Sequence, residues 1–356
     1  MNGLLRLQDY LTAHQYDGIL LLSQTNLRYF AGFTGTTAVA FVTPKQAYTI
    51  TDSRYTEQAQ QQCEGYEVVQ YTTTVWDSIS KIIEEQQISL AVCAFEGNYV
   101  PVDTYQIFSE VLNHSQFASV NLTPLRAVKR PDELDLMRKA AQIADEAFAA
   151  MLPQLKVGMT EKDARVILEI EMMRRGSEEP SFDTIVASGH RSSMPHGVAS
   201  DKVIEDGDFV TFDFGAVYKG YHSDMTRTIV MGNASQAQRS LYNVVLQAQL
   251  LGLKAVKAGV TGKMVDAACR DSIYKAGYEG YFNHGTGHGV GLDIHEEPVA
   301  SPRSDTVLEP NMIVTVEPGV YLPGQIGLRI EDSVIVTDEG YELLTHTSKE
   351  LIEVKG

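Results

Sequence analysis

Positive charge is scarce in this 356-residue chain: 29 Lys and Arg stand against 46 Asp and Glu, a net charge of −17. Nucleic acid and anionic membrane surfaces both need a basic patch, so neither is expected as a partner. Cysteine is equally sparse. Cys63, Cys93 and Cys269 are odd in number and far apart, which excludes a disulfide framework and a CxxC metal site and points to a reducing, cytoplasmic setting. No apolar run is long enough to cross a bilayer. The opening MNGLLRLQDYLTAHQ has helical spacing with Asp9 among the apolar residues, not the continuous apolar centre of a signal peptide. What remains is an ordinary soluble composition, 44% hydrophobic and 21% charged, on a chain long enough for two cores.

The first third alternates short apolar runs with helical patterns. GILLLS, AVAFVT, AYTITD, YEVVQY and SLAVCAF read as strands, and VWDSISKIIEEQQ places Trp76, Ile79, Ile82 and Ile83 on one helix face. The Gln-rich AQQQC run and EEQQ read as solvated helix faces. A boundary is expected near TPLRAVKRPDELDLMRKAAQIADEAF, which divides the chain into residues 1–125 and residues 126–356. Pro131 suits the first turn of a helix, and Leu134, Met137, Ala141, Ala144 and Phe148 then recur at alternating spacings of three and four.

The second part repeats itself. KVGMT at Lys156–Thr160 returns as KAGVT at Lys257–Thr261, 101 residues later, and Gly176 returns as Gly277 at the same offset. VTFDFG (Val210–Gly215) returns as VTVEPG (Val314–Gly319), which matches Asp213 to Glu317, and HSDMTRT and LRIED match Asp224 to Glu331. Each of these acids sits in or beside an apolar, strand-like run, where an unpaired carboxylate is costly. Two packed copies of one helix–helix–strand–hairpin unit would bring all four together. Four carboxylates at one point repel unless cations lie among them, so the pattern reads as a two-cation site.

FNHGTGHGVGLDIHEEP supplies His284, His288 and His295, and ASGHRSSMPHGVAS supplies His190 and His196; these are five of the nine histidines. Gly285, Gly287, Gly289 and Gly291 are expected to allow close backbone approach and positive φ. One imidazole among carboxylates suits Mn²⁺, Fe²⁺, Co²⁺ or Zn²⁺. Two such ions lower the pKa of a water and polarise a carbonyl, which is hydrolytic chemistry, and the remaining histidines would serve the substrate or a developing oxyanion. Taken singly the residues read more plainly: Glu331 as an ion pair with Arg329 two positions earlier, Asp213 as a hydrogen-bonded strand end, His190 as a surface residue.

The ordered set SMPHG, FDFG, HSDMTRT, HGTGHGVG, IHEEP, VEPGVY and LRIED, with NLRYFAGFTGT and TDSRY before it, resembles the pita-bread metallopeptidases, in particular the Xaa-Pro peptidases (prolidase and aminopeptidase P). The resemblance spans nearly the whole chain. It implies an α/β (α+β) protein: a mixed-sheet, creatinase-like N-terminal domain, then a pseudo-twofold pita-bread catalytic domain. It implies metal ligands Asp213, Asp224, His288, Glu317 and Glu331, with Asp224 and Glu331 bridging two ions, manganese first and cobalt, zinc or iron as alternatives. Glu317 would also carry the proton, and His196, His284 and His295 would face the substrate beside Arg329 and Tyr321. It further implies a homodimer in which the loop around Gly32–Thr36 reaches the partner's cleft. The expected reaction is hydrolysis of the bond before proline, in dipeptides or longer peptides. A methionine-aminopeptidase-like exopeptidase and a non-catalytic metal-dependent binding module are the alternatives. The first normally lacks this N-terminal domain, and the second needs no proton shuttle.

Overall fold

The structure is a computed structural model and describes residues 3–355. It divides into two compact units, the first ending at Leu125 and the second beginning at Arg126.

The first unit is built on a mixed six-stranded sheet. Its strands are β1 (Gly18–Leu21), β2 (Ala38–Val42), β3 (Ala47–Thr51), β4 (Glu67–Gln70), β5 (Val92–Glu96) and β6 (Gln116–Val120), in the order β4-β3-β2-β1-β5-β6. β1 pairs antiparallel with β2 and parallel with β5. The helix Val75–Glu85 starts at Thr74, whose hydroxyl accepts from the Asp77 amide. It buries Trp76, Ile79 and Ile82 against Phe41, Ile50 and Phe108. β6 was not expected, because QFASV has neither a continuous apolar run nor a clean alternation, and its residues are mostly half-exposed.

The second unit opens with the helix Pro131–Met151. Pro131 takes the first turn, and the Glu133 carboxylate accepts from the Arg130 amide at 2.9 Å. Leu134, Met137, Ala141, Ala144 and Phe148 are all buried, as their spacing predicts. Thereafter the element order doubles. The helix Glu161–Arg174 is capped by Thr160 and the helix Gly262–Lys275 by Thr261. Gly158 and Gly259 enter these helices at positive φ (94° and 84°), and Gly176 and Gly277 leave them at 101° and 91°. Thr160 bridges Val203, and Thr261 bridges Val307.

Strands follow the same scheme. β7 (Ile185–Ser188), β8 (Phe209–Phe214), the hairpin β9 (Val217–Tyr218) and β10 (Tyr221–His222), and β11 (Met225–Met231) belong to the first copy. β12 (Gly287–Gly289), β13 (Glu296–Ala300), β14 (Ile313–Val316), the hairpin β15 (Gly319–Leu322) and β16 (Ile326–Arg329), and β17 (Asp332–Val336) belong to the second. β18 (Tyr341–Leu343) and β19 (Ile352–Val354) complete the sheets β19-β11-β8-β7 and β14-β17-β18. One core gathers Phe148, Leu168, Phe212 and Phe214; another gathers Val245, Ile273, Val314 and Val334.

The copies are joined along β11 and the segment before β17. The Glu331 amide donates to Thr226 O at 3.1 Å, Thr228 Oγ1 to Arg329 O at 2.9 Å, and Ser333 Oγ to Asp224 O at 2.8 Å. Arg227, which is buried, reaches across to Asp332 at 2.7 Å. No helix among the described residues is long and apolar enough to cross a membrane.

Candidate metal centre

β8 is buried along its length because apolar residues fill both of its faces; Asp213 is its penultimate residue and is only half-buried. β11 runs back antiparallel with Thr226 opposite Asp213, and Asp224 lies just before it. The second copy repeats this arrangement: Glu317 follows β14, and Glu331 immediately precedes β17. One oxygen each from Asp213, Asp224 and Glu331 lie within 4.8 Å of one another. His288 Nε2 stands 3.5 Å from Asp224 Oδ2 and 3.4 Å from Glu317 Oε1. The four acids and His288 therefore meet at one place.

Electrostatics show how uncomfortable that place is without cations. Burial, and then the neighbouring acids, push Asp224 and Glu331 well above the usual carboxylate range. Burial drives Glu317 to about 7, against the opposing pull of Arg329. Asp213 Oδ1 and Glu331 Oε1 are buried and have no hydrogen-bond donor among the described residues. His288 Nδ1 faces Gly289 O at 3.0 Å and so carries the proton there. Burial lowers the pKa of this imidazole, which leaves Nε2 with a bare lone pair aimed at two carboxylates. Lone pairs facing lone pairs call for a cation, and one nitrogen among four carboxylates fits Mn²⁺, Fe²⁺, Co²⁺ or Zn²⁺.

The remaining expected residues surround this point. A cavity of about 570 Å³ is lined by Asp213, Asp224, His288, Glu317, Glu331 and Arg329, with His196, His284 and His295 also on its wall. Its apolar part is Phe182, Ile185, Val198, Ile294 and Val299. His196 and His295 are exposed to the cavity, and the His295 ring lies 4.3 Å from that of His288, centroid to centroid. His284 differs. Its Nδ1 faces Gly285 O at 2.8 Å and its Nε2 meets the Tyr321 hydroxyl at 3.1 Å, so both ring nitrogens are engaged by the protein. Burial, with Arg329 nearby, takes its pKa down to about 4, and burial takes Tyr321 up to about 12. His190 is exposed and lies outside the cavity lining.

Two readings need correction, and two residues were missed. Arg329 does not pair with Glu331: it pairs with Asp213, and its Nε donates to Thr226 Oγ1 at 3.0 Å. The chain leaves strand geometry at Ile330 and Glu331, so the two-residue alternation that would align positions 329 and 331 does not apply there. Glu331 instead accepts from Thr226 Oγ1 at 2.6 Å. The four glycines of the histidine segment have no positive φ; they serve close approach only. A Cβ on Gly287 would stand 1.9 Å from Thr315 O. Thr226, and Thr315, whose hydroxyl accepts from the His288 amide at 3.0 Å and lies 3.1 Å from Glu317 Oε1, were not anticipated. Their one signal in the sequence was polar residues recurring on buried strands.

A pH test follows from the carboxylate shifts. Groups whose folded pKa is raised stabilise the fold below the unfolded value, roughly 4, and lose that contribution as pH rises through the folded value, about 7 for Glu317. The metal-free protein is therefore expected to lose melting temperature between pH 5 and 8. The rise produced by Mn²⁺ should grow over the same interval. Scanning fluorimetry at several pH values checks this; an equal Mn²⁺ effect at both ends contradicts it.

The metallopeptidase family M24 model matches residues 135–338, and the creatinase/prolidase N-terminal domain model matches residues 4–128. An Xaa-Pro dipeptidase of Pyrococcus furiosus is 45% identical over 247 residues, 69% of this chain and 71% of that protein. An Xaa-Pro dipeptidase structure from Bacillus anthracis superposes with a TM-score of 0.95 at 47% identity, covering 99% of both chains. An X-Pro aminopeptidase structure from Thermotoga maritima gives 0.91 at 37% identity, covering 98% of this chain and 99% of that one.

Proposed function

The chain belongs to metallopeptidase family M24, and from that premise we propose that it hydrolyses the peptide bond preceding proline, with the Xaa-Pro dipeptide as its preferred substrate. The observation that carries the reading is the convergence of four carboxylates and a lone-pair-bearing His288 in a cavity that apolar side chains also line. The relatives named Xaa-Pro dipeptidase support it.

We assign Asp213, Asp224, His288, Glu317 and Glu331 as the side chains that would hold two divalent ions, with Mn²⁺ as the expected metal. When bound, these ions supply Lewis acidity that makes a water nucleophilic at neutral pH. Glu317 takes the proton released by that water and passes it to the departing proline nitrogen. His196 and His295 present N–H groups to the scissile carbonyl as charge develops on its oxygen. His284 reaches substrate by exchanging its bond to Tyr321, and otherwise holds that tyrosine against Arg329, whose Nη1 donates to the hydroxyl at 2.7 Å. Arg329 fixes one oxygen of Asp213, leaving Oδ1 for a cation. Phe182, Ile185, Val198, Ile294 and Val299 offer a dry wall for the proline ring.

The test is a paired assay on metal-stripped protein reloaded with Mn²⁺, using an Xaa-Pro dipeptide and an Xaa-Pro tripeptide with the same first residue. Cleavage of the dipeptide alone is expected. Cleavage of the tripeptide would make the protein an aminopeptidase like the Thermotoga relative's name, and no metal-dependent cleavage of either would favour a binding module.

We further propose a homodimer. The loop Gly32–Thr36 exposes Gly32, Thr34 and Thr36 while Phe33 anchors it, a form suited to reaching into a partner. Light scattering at assay concentration should give twice the chain mass, 39.3 kDa; a fully active monomer would end this idea. Three free, buried cysteines suit the reducing cytoplasm proposed as its location.

A further inference from the structure

His288 and His295 bound one loop, and among the described residues the ring of His295, unlike those of His284 and His288, has no hydrogen-bond partner; it meets the His288 ring at 4.3 Å between centroids. Where the ring stands therefore depends chiefly on the backbone that carries it. The next residue, Glu296, begins β13 and points elsewhere: His295 is exposed and on the cavity wall, whereas Glu296 is buried and outside that wall.

Behind the loop Glu296 meets two cations. Lys129 Nζ pairs with Glu296 Oε1, and Arg126 Nη2 lies 3.3 Å from Glu296 Oε2 while also pairing with Asp293 inside the loop. Lys129 has its other donors on Arg126 O at 3.0 Å and Ala127 O at 3.3 Å. Lys129 and Glu296 side chains are each 1% exposed. Gly291 lies directly over the carboxylate, since a Cβ there would stand 2.2 Å from Glu296 Oε1. The Gly291 carbonyl accepts from the His222 amide at 2.8 Å, and the Gly291 amide donates to Asp293 O at 3.0 Å. The loop is thus clamped at 291, 293 and 296 on the side away from the cavity.

Buried ion clusters contribute little net stability, because desolvation offsets their attraction, and apolar replacements are often as stable. Such a cluster fixes geometry instead, since each charge has one arrangement that satisfies it. We infer that Glu296 is a positioning residue for His295: clamped by Arg126 and Lys129, it holds the loop at the height that puts the imidazole at the scissile carbonyl. The kinetic half of this rests on the proposed peptidase reading; the structural half does not.

The experiment compares wild type, E296Q and the double variant E296Q/K129M, all full-length. E296Q leaves Lys129 buried and unpaired, so it should melt lower. The double variant removes both charges at nearly constant volume, so its melting temperature should rise above that of E296Q, short of wild type by what the Arg126 and Ala127 carbonyls lose with the Lys129 ammonium. Its kcat on an Xaa-Pro dipeptide should nonetheless stay roughly 10- to 100-fold down, the scale of a misplaced group. KM should lie within about threefold of wild type, with the metal content unchanged. Hydrogen exchange of the segment 287–296 and of the His222 amide should be about tenfold faster than in wild type while the first unit is unaffected. A double variant that regains kcat along with stability, or keeps wild-type exchange in that segment, overturns the inference. Should wild type cleave neither peptide, the peptidase reading fails, and the exchange comparison still decides whether Glu296 holds the loop.

Discussion

Glu317→Ala should cut hydrolysis of an Xaa-Pro dipeptide by on the order of 10² or more and weaken binding of one of the two metal ions. The residue is asked to do two things, and its surroundings suit both. Its Oε1 is 3.4 Å from the bare Nε2 of His288, close enough to share a cation. Thr315 Oγ1, 3.1 Å away, fixes the rotamer, and Arg329 Nε stands 3.8 Å from Oε2, too far for a firm bond. In the metal-free site burial brings its pKa to about 7. A divalent ion held beside His288 would favour the ionised form, in which the carboxylate can act as a base. Steady-state kinetics with metal analysis on the same sample checks the prediction. Near-full activity with Mn²⁺ bound would remove Glu317 from the proton path.

His295→Ala is expected to lose roughly 10² to 10³ in kcat, the size of one lost donor to a developing oxyanion, with both metals retained. Burial first, and then the nearby His288, lowers the pKa of its ring, so it is neutral at pH 7 and can donate from one nitrogen without carrying charge. It faces the cavity beside His288. Metal content separates the possibilities: a variant that loses an ion would show His295 to be a ligand, and one that keeps both ions and full speed would show it to be a bystander.

The acids could be found from sequence because they broke a rule. Asp213 sits near the end of one apolar strand and Glu317 just after another, and Asp224 and Glu331 recur in the repeat that Lys156–Thr160 and Lys257–Thr261 announce. Those repeat words carry backbone demands, a positive φ at Gly158 and Gly259 and a helix cap at Thr160 and Thr261, and such local demands leave a written trace. Contacts across long separations leave none. Nothing near Arg126 or Lys129 says that Glu296, some 170 and 167 residues on, will sit between them. The partner of Arg329 was misread for the same reason: a neighbour in sequence was available, but the chain leaves strand geometry at Ile330 and the true partner comes from β8. The sixth strand of the first sheet was invisible because half-exposed edge strands need no apolar run.

The stitching of the two copies bears on when the acidic cluster can form. Thr226 and Glu331, 105 residues apart, close a loop that a growing chain cannot close until the second acid has left the ribosome. A nascent chain that has made only the first copy carries two of the four carboxylates and no His288, which is a poor chelator. The cluster of acids is therefore complete only once both copies have been made and packed together.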